Sequence, residues 1–199
     1  MTILIIIITA VVSVVAFQQH EIGYKYNFNA YQIYHRRQWY RIFTHAFLHA
    51  NWEHLIVNMF VLFSFGTALW SYFYVYFGSN VLLLYLGIYV GGIIISSLYT
   101  LIKEKDNHNY NAVGASGAVS AVVFACIFFN PLSKIYFFGI VPIPGILFGG
   151  IYLGYSYYMS KKNVDNIGHD AHFWGAVYGF VYPIILKPSL LSNFFNQLF

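Results

Sequence analysis

Gly114-Ala115-Ser116-Gly117-Ala118, running directly into Val119–Phe129, is the stretch on which the reading of this chain turns. Its counterpart is Gly168-His169-Asp170-Ala171-His172, running into Phe173–Leu186. Each puts one chemically capable side chain, Ser116 or His172, just inside the start of a long apolar run. The composition says where such runs reside. The chain is 59% hydrophobic and 22% aromatic, and only 8% of its residues are charged, against about 25% in a soluble domain. Mean hydropathy is +0.62. The basic and acidic residues are confined to loops and to the ends of apolar segments. A hydroxyl and an imidazole inside a membrane are costly, so a matched pair of them reads as a site. The net charge of +4 is modest, and the basic residues are not interleaved with aromatics, so no nucleic-acid partner is expected. Cys126, the single cysteine, cannot form an internal disulfide and reads as a small packing residue.

Working outward, six apolar segments predict six membrane spans. They are Met1–Phe17, His54–Phe77, Asn80–Ile102, Ser116–Phe129, Gly145–Met159 and Ala171–Leu186. Met1–Phe17 lacks the basic start and small-residue cleavage site of a signal peptide. Between the first two lies Gln18–Trp52, polar and rich in aromatics, and Ile135–Pro144 is an apolar connector. No repeat or linker appears, so residues 1–199 are expected to form a single membrane domain. Backbone groups cannot stay unpaired in lipid, and the fold class predicted is all-α, a six-transmembrane-helix bundle.

Ser116 and His172 then fall on the fourth and sixth spans, which run in the same direction. Ser116–Phe129 is about 21 Å long and His172–Leu186 about 22 Å at 1.5 Å per residue, so the two residues sit at similar depth. Gly117, Ala121 and Ala125 form one small-residue face, and Gly175 and Gly179 another. Such faces let helix backbones approach closely in lipid, as a hydroxyl–imidazole pair requires. His54 and Asn58 share a face at the start of the second span, on the same side of the bilayer, where they could donate hydrogen bonds to a developing oxyanion. Gly91-Gly92 and Gly149-Gly150 read as further packing points. His45, His49 and His54 resemble a zinc-binding spacing, but no carboxylate or cysteine completes the set. No metal and no cofactor is expected.

These residues together resemble the rhomboid family of intramembrane serine proteases. Tyr40-Arg41-Ile42-Phe43-Thr44-His45, with His49, His54 and Asn58, is similar to its first-loop and second-helix pattern. Gly114-Ala115-Ser116-Gly117 is similar to its nucleophile motif, and Ala171-His172-Phe173-Trp174-Gly175, with Gly179, to its sixth-helix motif. The resemblance implies Ser116 as nucleophile and His172 as general base and then acid. It also implies an oxyanion hole of His54, Asn58 and the Ser116 backbone N–H. The substrates implied are transmembrane proteins, cleaved in or near their membrane segments. Asp170 is read as a helix-start cap rather than a third catalytic member. A polar cavity near Ser116, lined by His45 and His49, should admit water.

Two departures stand out. The family often carries a tyrosine four residues after the serine, supporting the histidine ring. Here that position is Ser120, which leaves a neighbouring aromatic to take the role. The family's Trp-Arg pair appears as Tyr40-Arg41. Orientation is in conflict: eight of the ten basic residues fall on the Ser116 side. The positive-inside rule makes that side cytoplasmic, whereas the resemblance implies the outside of a bacterial inner (plasma) membrane and is followed. Two alternatives are a non-catalytic relative that binds membrane helices, as a chaperone or dislocation factor, and a small transporter. Retention of both Ser116 and His172 argues against the first. The lack of a repeat or charged spans argues against the second.

Overall fold

A computed structural model describes every residue except 138, 163, 164 and 166, and the side chain of Phe137. At its centre stands α7 (Ser116–Phe129), in which every residue after Ser116 is buried. Around it pack α5 (Trp52–Phe77), α6 (Val81–Lys103), α8 (Gly145–Lys162) and α9 (His169–Leu186), with α1 (Thr2–Gln18) against α5. A helix apolar on all sides is stable only when enclosed, which explains why α7 carries no polar face. The outer helices each expose large apolar side chains, such as Ile7, Phe60, Leu83, Ile151 and Ile185. So much exposed apolar surface is a membrane-facing exterior. Among the described residues one stretch, Trp52–Lys103, is long and apolar enough to cross a membrane by those measures alone. It comprises α5 and α6, turned at Gly78–Asn80. α1 and α7 are apolar but shorter, at 17 and 14 residues.

The tightest contact in the molecule joins α7 to α9. A Cβ on Gly175 would land on the carbonyl oxygen of Gly117, and one on Gly179 on that of Ala121. A Cβ on Gly117 would strike Ser96 of α6, so α6, α7 and α9 converge where Ser116 begins its helix. Gly91 and Gly92 also face neighbours, Gly91 meeting the Tyr178 hydroxyl and Gly92 lying 3.0 Å, at its would-be Cβ, from Ala118 Cα. Gly149 packs against Phe124 and Ile127, but Gly150 faces open space, so only the first of that pair is a packing point. Tyr178 and Tyr182 on α9 donate to the carbonyls of Gly87 and Leu84 at 3.0 and 3.2 Å, securing α6 to α9.

The loops at the Ser116 end are interlocked. The first folds into α2 (His20–Tyr26), α3 (Ala30–Arg36), α4 (Arg41–Thr44) and a 3-10 turn at His45–Phe47. Its hub is buried Arg41, which donates to Gln38 Oε1 at 2.6 Å, to the Tyr24 and Asn27 carbonyls at 3.0 and 2.9 Å, and to Asn27 Oδ1 at 2.7 Å. Phe28 and Ala112 exchange backbone hydrogen bonds at 2.9 Å, pinning this loop to the one after α6.

Three expectations need correction. The connector after α7 is an antiparallel hairpin, β1 (Lys134–Phe137) with β2 (Val141–Pro144), so the fold is mostly helical rather than all-α. Pro142 and Pro144 bias the residues before them to extended backbone, and Gly139 has φ +73°. α9 starts at His169, earlier than expected, with Gly168 at the cap position, so Asp170 is not a cap. Its carboxylate instead accepts from Lys103 Nζ at 2.8 Å, tying the end of α6 to the start of α9, where an acidic group also suits the helix dipole. A further short helix, α10 (Leu190–Asn196), closes the far end by stacking Phe194 on Phe128.

The seam makes a sharp prediction. Gly175→Ala and Gly179→Ala should each lower the melting temperature in detergent, with an overpacking cost of about 1–3 kcal/mol or more. Gly150→Ala should leave it unchanged or slightly higher. Equal melting temperatures for all three would contradict the backbone contact.

Candidate active site

Ser116 is partly buried and is the first residue of α7, which has no side-chain cap. The first N–H groups of a helix have no partner within it, so they point outward beside the Ser116 hydroxyl. Gly114 shapes the approach. Its φ is +129°, and a Cβ there would lie 3.0 Å from His54 Nε2 and 3.8 Å from Ser116 Oγ. Those two atoms therefore border the same point above Gly114, and only glycine leaves that point open. The Gly114 N–H donates to the His45 carbonyl at 3.0 Å.

Helix-start chemistry also places His54. Asn51 caps α5, its Oδ1 accepting from the His54 N–H at 2.8 Å. One turn on, buried Asn58 donates from Nδ2 to the His54 carbonyl at 2.8 Å. That bond is local to α5, leaving one amide hydrogen of Asn58 uncommitted to it.

His172 lies in the first turn of α9, three residues before Gly175, whose backbone presses on Gly117. Ser116 and His172 are thereby held at one level on either side of the seam. No hydrogen bond joins them, and neither side chain bonds to any other partner among the described residues. Such contacts are often long before substrate binds and tighten afterwards. Ring contacts orient the imidazole. Tyr152 of α8 stacks on it at 6.1 Å between centroids and 27° between planes, and His169 meets it edge-on at 5.9 Å. The Tyr152 hydroxyl and Ser120 Oγ are 2.7 Å apart, and His169 Nε2 lies 3.1 Å from Asp165 Oδ1. The residue the family often replaces with tyrosine is thus bonded to a tyrosine from another helix.

Contrary to expectation, His45 and His49 do not line an open cavity beside Ser116. Both are buried, His45 with Nε2 3.1 Å from Ser97 Oγ. Ser13 of α1 donates its one hydroxyl proton to the Phe47 carbonyl at 2.8 Å, so the 2.9 Å contact with His49 must be donated by His49 Nδ1. Hollows of about 410 Å³ between α1 and the first loop, and about 120 Å³ at the far end, touch neither Ser116 nor His172.

Burial holds His45 down to about 4, and burial with the neighbouring His54 holds His49 down to about 3. Both are neutral in the fold at pH 7. Below the ordinary value of 6.5 the unfolded chain takes up protons that the fold refuses, so their contribution is intact above 6.5 and lost as pH falls toward 4. Each group should cost about 1.4 kcal/mol per pH unit over that window. The melting temperature should fall steeply from pH 7 to 5, and His45→Gln and His49→Gln should each flatten that slope. Unchanged slopes in both variants would contradict neutral burial.

Helices with an apolar exterior, and serine, histidine and asparagine gathered at one end, define a helical membrane protein with a polar cluster at one end of its bundle. A family model for the Rhomboid domain matches residues 36–189, and the chain belongs to the rhomboid family. It is also 29% identical over 150 residues to "RHOMBOID-like protein 12, mitochondrial" of Arabidopsis thaliana, covering 68% of this chain and 43% of that protein. The chain thus spans less than half of that relative's length. The relative is eukaryotic and mitochondrial, which lends no support to the bacterial plasma membrane inferred from sequence.

Proposed function

We propose that this chain is an intramembrane serine endopeptidase that hydrolyses peptide bonds in or near the transmembrane segments of other membrane proteins. The observation that carries the reading is the glycine seam, which holds Ser116 and His172 level across two helices, neither side chain having another hydrogen-bond partner among the described residues. His172 takes the Ser116 hydroxyl proton as Oγ attacks the substrate carbonyl carbon. The carbonyl oxygen becomes an oxyanion facing the Ser116 N–H, His54 and Asn58. The protonated imidazole then gives its proton to the departing amine as the C–N bond breaks, leaving an ester on Ser116. Water, deprotonated by the same imidazole, attacks that ester, and the imidazolium returns the proton to Ser116 Oγ as the C–O bond breaks and the carboxylic acid leaves. The α7 dipole adds to oxyanion stabilisation.

The bundle is proposed to cross the bilayer six times, through α1, α5, α6, α7, α8 and α9. At about 21 Å, α7 is shorter than the roughly 30 Å hydrocarbon core, but its neighbours enclose it, so it has no lipid to match. A membrane-impermeant thiol reagent should label Lys105→Cys and Lys162→Cys from one side of sealed vesicles and Lys134→Cys from the other. Labelling of all three from one side would overturn the six-span arrangement.

Ser116→Ala and His172→Ala should each abolish cleavage of a transmembrane substrate without loss of thermal stability, and the double variant should be no worse, because the pair acts as a unit. Asn58→Ala should cost about 10²–10³ in turnover, the usual effect of losing one oxyanion donor, while a fluorophosphonate still labels Ser116. The rival reading, a non-catalytic binder of membrane helices, is favoured by the absence of a Ser116–His172 hydrogen bond. It predicts substrate binding with no cleavage and no labelling of Ser116.

A further inference from the structure

His172 has an unusual support. Its imidazole forms no hydrogen bond among the described residues, so its two side-chain torsions are set by packing alone. A general base must come within about 2.6–3.2 Å of the proton it takes, and a misplacement of about 1 Å costs on the order of 10²-fold in rate. Something must therefore fix the ring. The face of the imidazole is covered by Tyr152, whose plane is within 27° of its own.

Tyr152 is in turn constrained at both ends. Its ring is flanked by Phe148 and Phe124, with centroids at 5.9 and 5.6 Å. Its hydroxyl is 2.7 Å from Ser120 Oγ. Ser120 is buried and sits one turn beyond Ser116 on the same face of α7. Gly145 and Gly149, on the same face of α8 as Tyr152, lie against α7 and the loop that follows it, with a would-be Cβ at 3.2–3.4 Å from its nearest neighbour, which lets the tyrosine reach across.

Resting on the protease reading, we infer that Tyr152 is the positioning residue for the base and that Ser120 is its anchor. The helix that carries the nucleophile thereby also sets the base, through a side chain borrowed from α8. A serine at position 120 is then half of a two-residue substitute for a ring support, and the pair must be kept or lost together.

The test uses the full chain in detergent. Tyr152→Leu should lower kcat about 10²-fold with KM little changed, and slow fluorophosphonate labelling of Ser116 to match. Tyr152→Phe and Ser120→Ala keep the ring but release it, and each should cost roughly 3–10-fold. Their double variant should be no worse than either single, since both break one bond. The relocation variant Ser120→Tyr with Tyr152→Ser should recover part of the activity lost in Tyr152→Leu. Ile151→Ala, exposed on the same helix, is the control for general damage to α8. A readout independent of turnover is the imidazole C–H resonance of His172, assigned with His172→Asn. Its ring-current shift should vanish in Tyr152→Leu and persist in Ile151→Ala. Labelling and turnover at the wild-type rate in Tyr152→Leu, or an unmoved His172 resonance, would overturn the inference. A wild-type chain that never labels at Ser116 would instead defeat the protease reading, with the resonance still deciding whether Tyr152 holds the ring.

Discussion

Everything at the candidate site depends on how closely α7 and α9 approach. Two glycines of α9 have no room for even a methyl group against the backbone of α7. In lipid, where hydrophobicity does not drive helices together, such contact is what close packing offers. Because the contact runs through carbonyl oxygens rather than flexible side chains, it sets the relative height of the two helices. Ser116 lies just before this contact on one helix and His172 just before it on the other, so their shared level follows from the seam. α6 adds a third wall through Ser96 and the tyrosine hydroxyls of α9 bonded to its carbonyls.

The polar loops solve a different problem, that of holding charged and polar groups against an apolar bundle. Arg41 is buried with no carboxylate among the partners of its guanidinium, which are backbone and side-chain carbonyl oxygens. A buried cation is tolerated only when its donors are satisfied, and here that need folds the first loop around it. The loop in turn carries His45, whose carbonyl receives Gly114, and His49, which Ser13 bonds from α1. Through these contacts α1, which lies outside the residues matched by the family model, reaches the neighbourhood of His54.

Much of this was legible in the sequence because a few residue types admit few physical roles. Apolar runs located the six long helices among the described residues, and the glycine and alanine spacing on two of them identified the seam. His54, Asn58, Ser116 and His172 were legible as polar groups at the starts of even-numbered runs. Short elements were not: α2, α3, α4 and α10 have four to seven residues, too few for a periodic pattern to emerge. The hairpin was missed although Pro142 and Pro144 argued for extended backbone. Tyr152 was missed because its role depends on tertiary contact. One signal was present, a single large polar side chain at helical spacing with Gly145, Gly149 and Ser156, the buried residues of α8. Ser13 had a similar one, sharing a buried stripe with Thr2 and Thr9 on α1.

The central claim is that the seam delivers His172 to Ser116 when the site is occupied. The most direct measurement is an experimental structure of the chain after reaction with a fluorophosphonate. The account predicts a single adduct on Ser116 Oγ. It also predicts a His172 ring nitrogen within about 3.2 Å of an adduct oxygen, and the phosphoryl oxygen turned toward the Ser116 N–H, His54 and Asn58. An adduct on another residue, or a His172 ring turned away from Ser116 with the α7–α9 contact intact, would contradict it.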